Sequence, residues 1–250
     1  MSTAAASVAS FAKLVGGSIS NPQILAVGLR HLWNRIHQDR LIRSDAQRIL
    51  HRSARPGRVL FVDGGANLGQ AFSAFSRHFP TDTVAFELFE PNPHCRAALE
   101  TVLSAHDGRA VRLHEAALSV RDGETLLYGL SGDEGGPLSQ GASIVRHQHD
   151  IFYDADPATA IAVPTVDFCE YLKRQSAAYG TIVVKLDVEG AEIDILEGLI
   201  GRDCLRLIDT LYVEFHSHFL SASKRPTERQ REQRIRTALA ASGVHVRIWH

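Results

Sequence analysis

The sequence predicts an α/β domain built on a mostly parallel sheet with helices on both faces. Short apolar runs alternate with stretches of helical period from Val59 to Trp249, the order that buries a parallel sheet between helices. The first run, Val59 to Val62, leads into Asp63-Gly64-Gly65 and a third glycine at Gly69. That is the form of a buried strand whose tight turn opens a helix. The next run, Val84 to Phe89, ends in an acid, Glu90.

Taken in order, residues 1 to about 20 are apolar and small but lack periodicity or a basic leader, so they are read as loosely ordered and not as a signal peptide. Asn21-Pro22 has the form of a helix cap, and Leu25, Leu29, Leu32, Trp33 and Ile36 follow at helical spacing. A second helix is expected over Ser44 to Arg52, with Arg55-Pro56-Gly57 as the boundary between a helical extension (1–56) and the main domain (57–250). The extension is read as covering a sheet edge or the site mouth, with a membrane-surface or homodimer contact as the alternative. In the main domain, helices are expected over Leu68 to His78 and from Pro93 to about His106, and a strand over Ala110 to His114. Asp122-Gly123 between apolar pairs reads as a hairpin turn. Residues 131 to 160 are glycine-rich and aperiodic, the form of a substrate loop, with Ser143 facing the site. A strand follows at Val163 to Val166, then a capping box, Asp167 to Glu170, starting a helix. Strands over Thr181 to Asp187, Leu207 to Phe215 and Val244 to Trp249 alternate with a helix from Gly190 and a charged helix, Pro226 to Ala241.

The chain of 250 residues is long enough for a full core, and its 44% hydrophobic and 22% charged content is ordinary for a soluble globular protein. A net charge of −1 argues against nucleic-acid binding driven by charge. Cys95, Cys169 and Cys204 show no disulfide framework, which fits a reducing cytoplasm. No apolar run reaches membrane-spanning length.

In a parallel sheet, ligands sit beyond the carboxyl ends of the strands. Asp63, Glu90, Asp187 with Glu189, and Glu214 with His216 all fall at such ends. An acid closing the second strand is placed to read a ribose diol. A dinucleotide turn wants G-x-G-x-x-G, whereas Gly64-Gly65-x-x-x-Gly69 follows an acid, unfavourable beside a pyrophosphate. An acid there suits the cationic amine and sulfonium of S-adenosyl-L-methionine. A nicotinamide-dependent oxidoreductase and a non-catalytic nucleoside-binding module are the two rival readings.

Val62 to Gly69, Phe89-Glu-Pro-Asn-Pro93, Ala117-Leu-Ser119, Gly141-Ala-Ser143, Lys185-Leu-Asp-Val-Glu-Gly-Ala-Glu192 and Glu214-Phe-His216 together resemble the FkbM-type methyltransferases. The resemblance runs from about Val59 to Gly243. It implies a class I, Rossmann-like methyltransferase fold and O-methylation of a hydroxyl on a sugar, glycolipid or natural product. It also implies that Asp63, Gly64, Gly65, Asn67 and Gly69 hold the methionine part of the cofactor, with Asp187 beside them. Glu90 and Pro91 then hold the ribose, and Ala116 and Ala117 lie near the adenine. The class I sheet closes with an antiparallel pair, but only one strand fits after Gly243, so the carboxyl-terminal edge departs from that pattern.

An aliphatic hydroxyl needs a base near it. His216 fits by type, with Asp187 and Glu189 next and Lys185 neutralising the acids. The reaction is expected to run without a metal, although Asp187, Glu189, Glu214 and His216 would also suit Mg²⁺.

Overall fold

A computed structural model of the chain describes residues 22–52, 59–80, 82–106, 110–130, 136–146, 156–219 and 224–249. The expected cap at Asn21, the stretch before it and the Arg55-Pro56-Gly57 boundary lie outside the described residues, as do 131–135 and 147–155 of the glycine-rich stretch. The chain divides into two compact units, 1–48 and 49–250. Among the described residues no helix is long and apolar enough to cross a membrane.

The two front helices are one, α1 (Pro22–Arg52). Nothing between Ile36 and Ser44 breaks a helix: the segment carries neither glycine nor proline. Ile42, Asp45, Ala46 and Ile49 are buried at helical spacing along one side.

Six strands form an all-parallel sheet: β1 (Val59–Gly64), β2 (Val84–Phe89), β3 (Val111–His114), then β7 (Thr181–Leu186), β8 (Thr210–Val213) and β9 (His245–Ile248). Their order is β3-β2-β1-β7-β8-β9. That is the doubly wound order, with the switch point between β1 and β7. The carboxyl-terminal edge is settled here: β9 pairs with β8 in parallel, Thr210 opposite His245 through Val213 opposite Ile248. Helix α6 (Arg225–Ala241) supplies the crossover, and among the described residues β9 is the edge strand of this sheet.

Alternate side chains of β1 go to opposite faces. Leu60 and Val62 join Val184, Leu186, Leu211 and Val213 in a core covered by α4 (Phe168–Ser176), α5 (Glu192–Gly201) and α6. Phe61 points the other way and packs 4.5 Å from Phe75 and 5.2 Å from Phe86. Helix α2 (Gln70–Phe75) is only six residues long, shorter than expected. It is held by that aromatic layer, in which Phe75 also meets Tyr212 at 4.9 Å and Trp249 at 5.2 Å. Helix α3 (Arg96–Ser104) follows a single 3₁₀ turn that begins at Pro93.

The expected hairpin at Asp122-Gly123 does not form. Strands β4 (Ala117–Ser119) and β5 (Gly123–Leu127) each pair with β6 (Ile161–Asp167), β4 in parallel and β5 antiparallel. β6 lies between them in a separate three-stranded sheet. The Asp122 carboxylate accepts the Asp167 N–H at 2.8 Å, so the residue fixes β6 and does not close a two-residue turn. Only half of the capping box forms: the Asp167 side chain accepts the Glu170 N–H at 3.0 Å, while the Asp167 N–H goes to Asp122 and the Glu170 carboxylate accepts from Lys173.

The absence of a disulfide is corrected as well. Cys169, in the first turn of α4, and Cys204, just after α5, are fully buried and joined, with Cα atoms 5.6 Å apart. Thirty-five residues separate them, so no local spacing announces the pair. Arg202 grips Asp167 through two bonds of 2.6 and 2.8 Å across the same junction. Cys95 remains a buried free thiol.

Candidate active site

The site is built where β1, β2, β7 and β8 end. Asp63 and Lys185 are register partners on neighbouring strands, and both are buried. The Lys185 ammonium lies 3.3 Å from Asp63 and 3.1 Å from Asp187, and it donates to the Gly65 carbonyl at 2.9 Å. It therefore ties the glycine turn to the end of β7. Burial opposes its charge, but Asp63 and then Asp187 outweigh that and raise its pKa to about 12. The Asp63 oxygens take no hydrogen bond of good geometry. Burial pushes this carboxyl above its ordinary value despite Lys185.

The turn itself is tight. Gly65 has φ +78°, and a Cβ there would stand 1.9 Å from the Asp187 carbonyl oxygen. Only glycine lets β1 and β7 come this close. Gly64 ends β1 beside Leu186, and Gly69, with φ +83°, caps α2. Gly65 and Ala66 both donate to the Phe89 carbonyl, which anchors the turn to β2.

Glu90 is buried, and each carboxylate oxygen accepts one backbone N–H, from Asn67 at 2.7 Å and from Asn92 at 2.9 Å. Burial raises its pKa although both bonds favour the anion. The carboxylate is thus fixed from behind, with lone pairs remaining on each oxygen. Pro91 follows it, half-buried, and Ala116 and Ala117 are buried just past β3.

At the other side, His216 is buried beyond β8. Its Nδ1 and its backbone N–H meet the same Glu192 oxygen, at 3.3 and 2.7 Å. Its Nε2 lies 3.4 Å from Glu189, 3.7 Å from Asp187 and 3.9 Å from Glu214. The strand does not persist to His216, since β8 stops at Val213, yet Glu214 and His216 still face one spot. Burial disfavours the imidazolium, but Glu192, Glu189 and Asp187 hold its pKa up at about 9. Burial is also the largest influence on Glu189. His216 offsets it in part, Asp187, Glu192 and Glu214 add to it, and the carboxyl reaches about 7. Glu214 is raised for the same reasons, burial first and then Asp187.

Both shifts carry stability of one sign. A raised folded-state pKa contributes fully below the unfolded value and is lost as pH rises through the folded one. For His216 the window is 6.5 to about 9, on the order of 3 kcal/mol. Glu189 runs the same way from 4.5 to about 7. Thermal unfolding midpoints should therefore fall from pH 6.5 to pH 9, and His216→Gln should flatten that slope. An equal slope in the variant would contradict the assignment.

Asp187, Glu214 and His216 each place one ligand atom within 4.8 Å of the others, a set able to hold a divalent cation. Two residues of this network, Glu192 and Asn92, were not among the expected site residues, and Ser143 was expected only to face the site. Glu192 is fully buried and accepts the Gly190 N–H at 2.8 Å as well as the His216 bonds; from sequence it reads as a first-turn helix charge. Asn92 donates to the Pro137 carbonyl at 2.8 Å. Ser143 donates to the Glu189 carbonyl at 2.6 Å. The described part of the expected substrate loop is therefore fastened at two points beside the site.

Comparison with known proteins bears on the family. Methyltransferase 1 of Beauveria bassiana (strain ARSEF 2860) is 27% identical over 180 residues, 64% of this chain and 65% of that protein. The crystal structure of methyltransferase FkbM from Methylobacillus flagellatus KT overlaps 58% of this chain and 29% of that one, with TM-score 0.35 and 14% identity. The Methyltransferase FkbM domain model matches residues 63–240, and the chain belongs to that methyltransferase family.

Proposed function

We propose that the crevice between β1 and β7 binds S-adenosyl-L-methionine and that the enzyme methylates a hydroxyl of a sugar, glycolipid or natural product. The charge of the crevice carries this reading. Asp63, Glu90, Asp187, Glu189 and Glu214 gather around Lys185 and His216, and burial raises the pKa of four of these five carboxyls. A pyrophosphate would meet that field unfavourably, which speaks against a nicotinamide cofactor. A sulfonium and an amine suit it. An acceptor carrying phosphate or carboxylate beside its reacting hydroxyl is disfavoured for the same reason.

When bound, the cofactor supplies an electrophilic methyl group. The chain's own residues do the rest. Glu90, held by two backbone donors, accepts hydrogen bonds from the ribose hydroxyls. Asp63, Asp187 and the turn from Gly64 to Gly69 receive the methionine end, with Asn67 supporting Glu90. Pro91, Ala116 and Ala117 border the nucleoside. Glu189 takes the proton from the acceptor hydroxyl, because its pKa of about 7 matches neutral pH. His216 is the protonated partner that keeps Glu189 ionised, and Asp187 shares that imidazolium. This division of labour moves the base from His216 to Glu189. Lys185 and His216 already neutralise part of the cluster, so the step is assigned without a metal. Residues 57–250 are the catalytic domain and 1–56 its helical extension.

Labelled S-adenosyl-L-methionine offered with methyl glycosides and hydroxylated macrolides tests the reading. Label should pass to an acceptor oxygen. Binding of NADH with no binding of the adenosyl cofactor would overturn it, and cofactor binding with no transfer to any acceptor would favour the non-catalytic module.

Glu90→Ala should weaken the cofactor by about 1.5–3 kcal/mol, the range for hydrogen bonds to a charged group. Unchanged affinity in a folded variant removes Glu90 from the ribose. A cytoplasmic location, the remaining part of the proposal, is read at Cys169 and Cys204. The Cys169–Cys204 bond described above stands against that location, since a reducing compartment keeps such pairs as thiols; under the proposal, rapid alkylation of denatured protein from cell lysate should label all three cysteines. Labelling of Cys95 alone would place the protein in an oxidising compartment.

A further inference from the structure

We infer that Ser143 is a positioning residue whose hydroxyl, through the backbone of Glu189, holds the Glu189 carboxylate against His216. The inference rests on the proposed reading only for what Glu189 does in the reaction; the placement itself is independent of it.

Glu189 has φ +53°, a left-handed conformation that is unfavourable for a non-glycine residue. Such a conformation persists where surrounding contacts fix it. Two contacts fix this one. The Ser143 hydroxyl donates to the Glu189 carbonyl at 2.6 Å, and the Glu192 carboxylate accepts the next N–H, that of Gly190, at 2.8 Å. The peptide unit between Glu189 and Gly190 is thus gripped on its oxygen and on its nitrogen. Released from that grip, Glu189 could leave its left-handed backbone conformation, and its side chain, whose Oε2 stands 3.4 Å from His216 Nε2, would be redirected with it.

Ser143 is itself immobilised. It is 1% exposed. Its hydroxyl oxygen accepts the Val145 N–H at 2.9 Å, which leaves the hydroxyl hydrogen for Glu189. Its backbone bridges Tyr128, with bonds of 2.8 and 3.2 Å running both ways. Six residues earlier Pro137 accepts from Asn92, whose N–H in turn donates to the Glu90 carboxylate. The segment from Pro137 to Ser143 therefore reaches from the support of Glu90 to the support of Glu189. A hydroxyl at this depth with both roles used is not a surface decoration.

The test reads His216, which needs neither cofactor nor acceptor. Its ring is faced by Glu192 of α5, by Asp187 and Glu189 after β7, and by Glu214 from its own segment, with Lys185 and His218 as the nearby cationic or titrating groups. Long-range ¹H–¹⁵N spectra of the wild-type protein should give a His216 midpoint near the expected 9. Glu189→Gln removes one carboxylate and should lower that midpoint by about one pH unit. Ser143→Ala should lower it in the same direction, and should add nothing in the Glu189→Gln background. Ser143→Thr, which keeps the hydroxyl, should restore the wild-type midpoint, and Ser143→Cys, similar in volume with a weaker donor, should behave as Ser143→Ala and serves where alanine destabilises the fold. A midpoint in the folded Ser143→Ala or Ser143→Cys protein equal to wild type overturns the inference. So does an equal drop in both backgrounds, which would mean that Ser143 acts on His216 by another route. Titration of wild-type protein with S-adenosylhomocysteine tests the cofactor reading alone, so the two can fail separately.

Discussion

Glu189→Gln is expected to lower methyl transfer by about 10²- to 10⁴-fold, the range for losing a positioned general base, with cofactor affinity within about twofold of wild type. The glutamine keeps the size of the side chain and removes only its basicity. Glu189 sits 3.4 Å from His216 Nε2, and burial among acids brings its carboxyl to about 7. The acid limb of the wild-type turnover profile should therefore fall near pH 7, rising as the carboxyl ionises. In the variant that limb should vanish along with most of the rate. His216→Gln gives the complementary result. Loss of the imidazolium should drive the acid limb to higher pH, because a neighbouring cation no longer favours the Glu189 anion. If Glu189→Gln retains wild-type turnover, the base lies elsewhere, and His216 titrating near pH 6.5 would be the candidate.

Gly65→Ala should be the most damaging of the glycine-to-alanine changes in the turn from Gly64 to Gly69. Its Cβ would stand 1.9 Å from the Asp187 carbonyl, and φ is +78°. Overpacking against backbone and a left-handed alanine together cost about 2–5 kcal/mol. For a domain of this size that lowers the unfolding midpoint by on the order of 10 °C. The turn must also move away from β7, which carries the Lys185 bond to the Gly65 carbonyl with it. Cofactor affinity should fall even at temperatures where the variant is folded. A midpoint within about 2 °C of wild type would mean that the two strand ends are farther apart than described.

The residues legible in the sequence are those announced by local period. Asp63, Glu90, Asp187 and Glu214 each close an apolar run, and parallel strands bring such ends together whatever the intervening chain does. The glycines of the turn were readable for a similar reason, since a strand-to-helix turn needs left-handed backbone within a few residues. What escaped was set by distance in the chain. Glu192 reads as a first-turn helix charge; only the fold brings His216, 24 residues later, onto the same oxygen. Asn92 earns its role from a partner 45 residues away, and for Ser143, expected to face the site, it was the tie to the Glu189 carbonyl 46 residues on that stayed hidden. The acid Glu87 interrupts an apolar strand without obvious purpose in the sequence, yet it is buried against His114 at 2.6 Å and Tyr171 at 2.9 Å. The Asp122-Gly123 pair misled because two short strands beside a turn need not pair with each other when a third, β6, can separate them. The protonation of His216 was hidden as well. Residue type alone suggests a base near pH 6.5, and three surrounding carboxylates, Glu192, Glu189 and Asp187, reverse that.

The central claim is that the β1–β7 crevice is a site for an S-adenosyl cofactor. Calorimetric titration of the full chain with S-adenosylhomocysteine tests it most directly, with NADH as the control. One molecule should bind per chain, Glu90→Ala should weaken it by roughly 10- to 150-fold, and NADH should give no heat. Saturable binding of NADH that Glu90→Ala weakens, with no response to S-adenosylhomocysteine, would contradict the account.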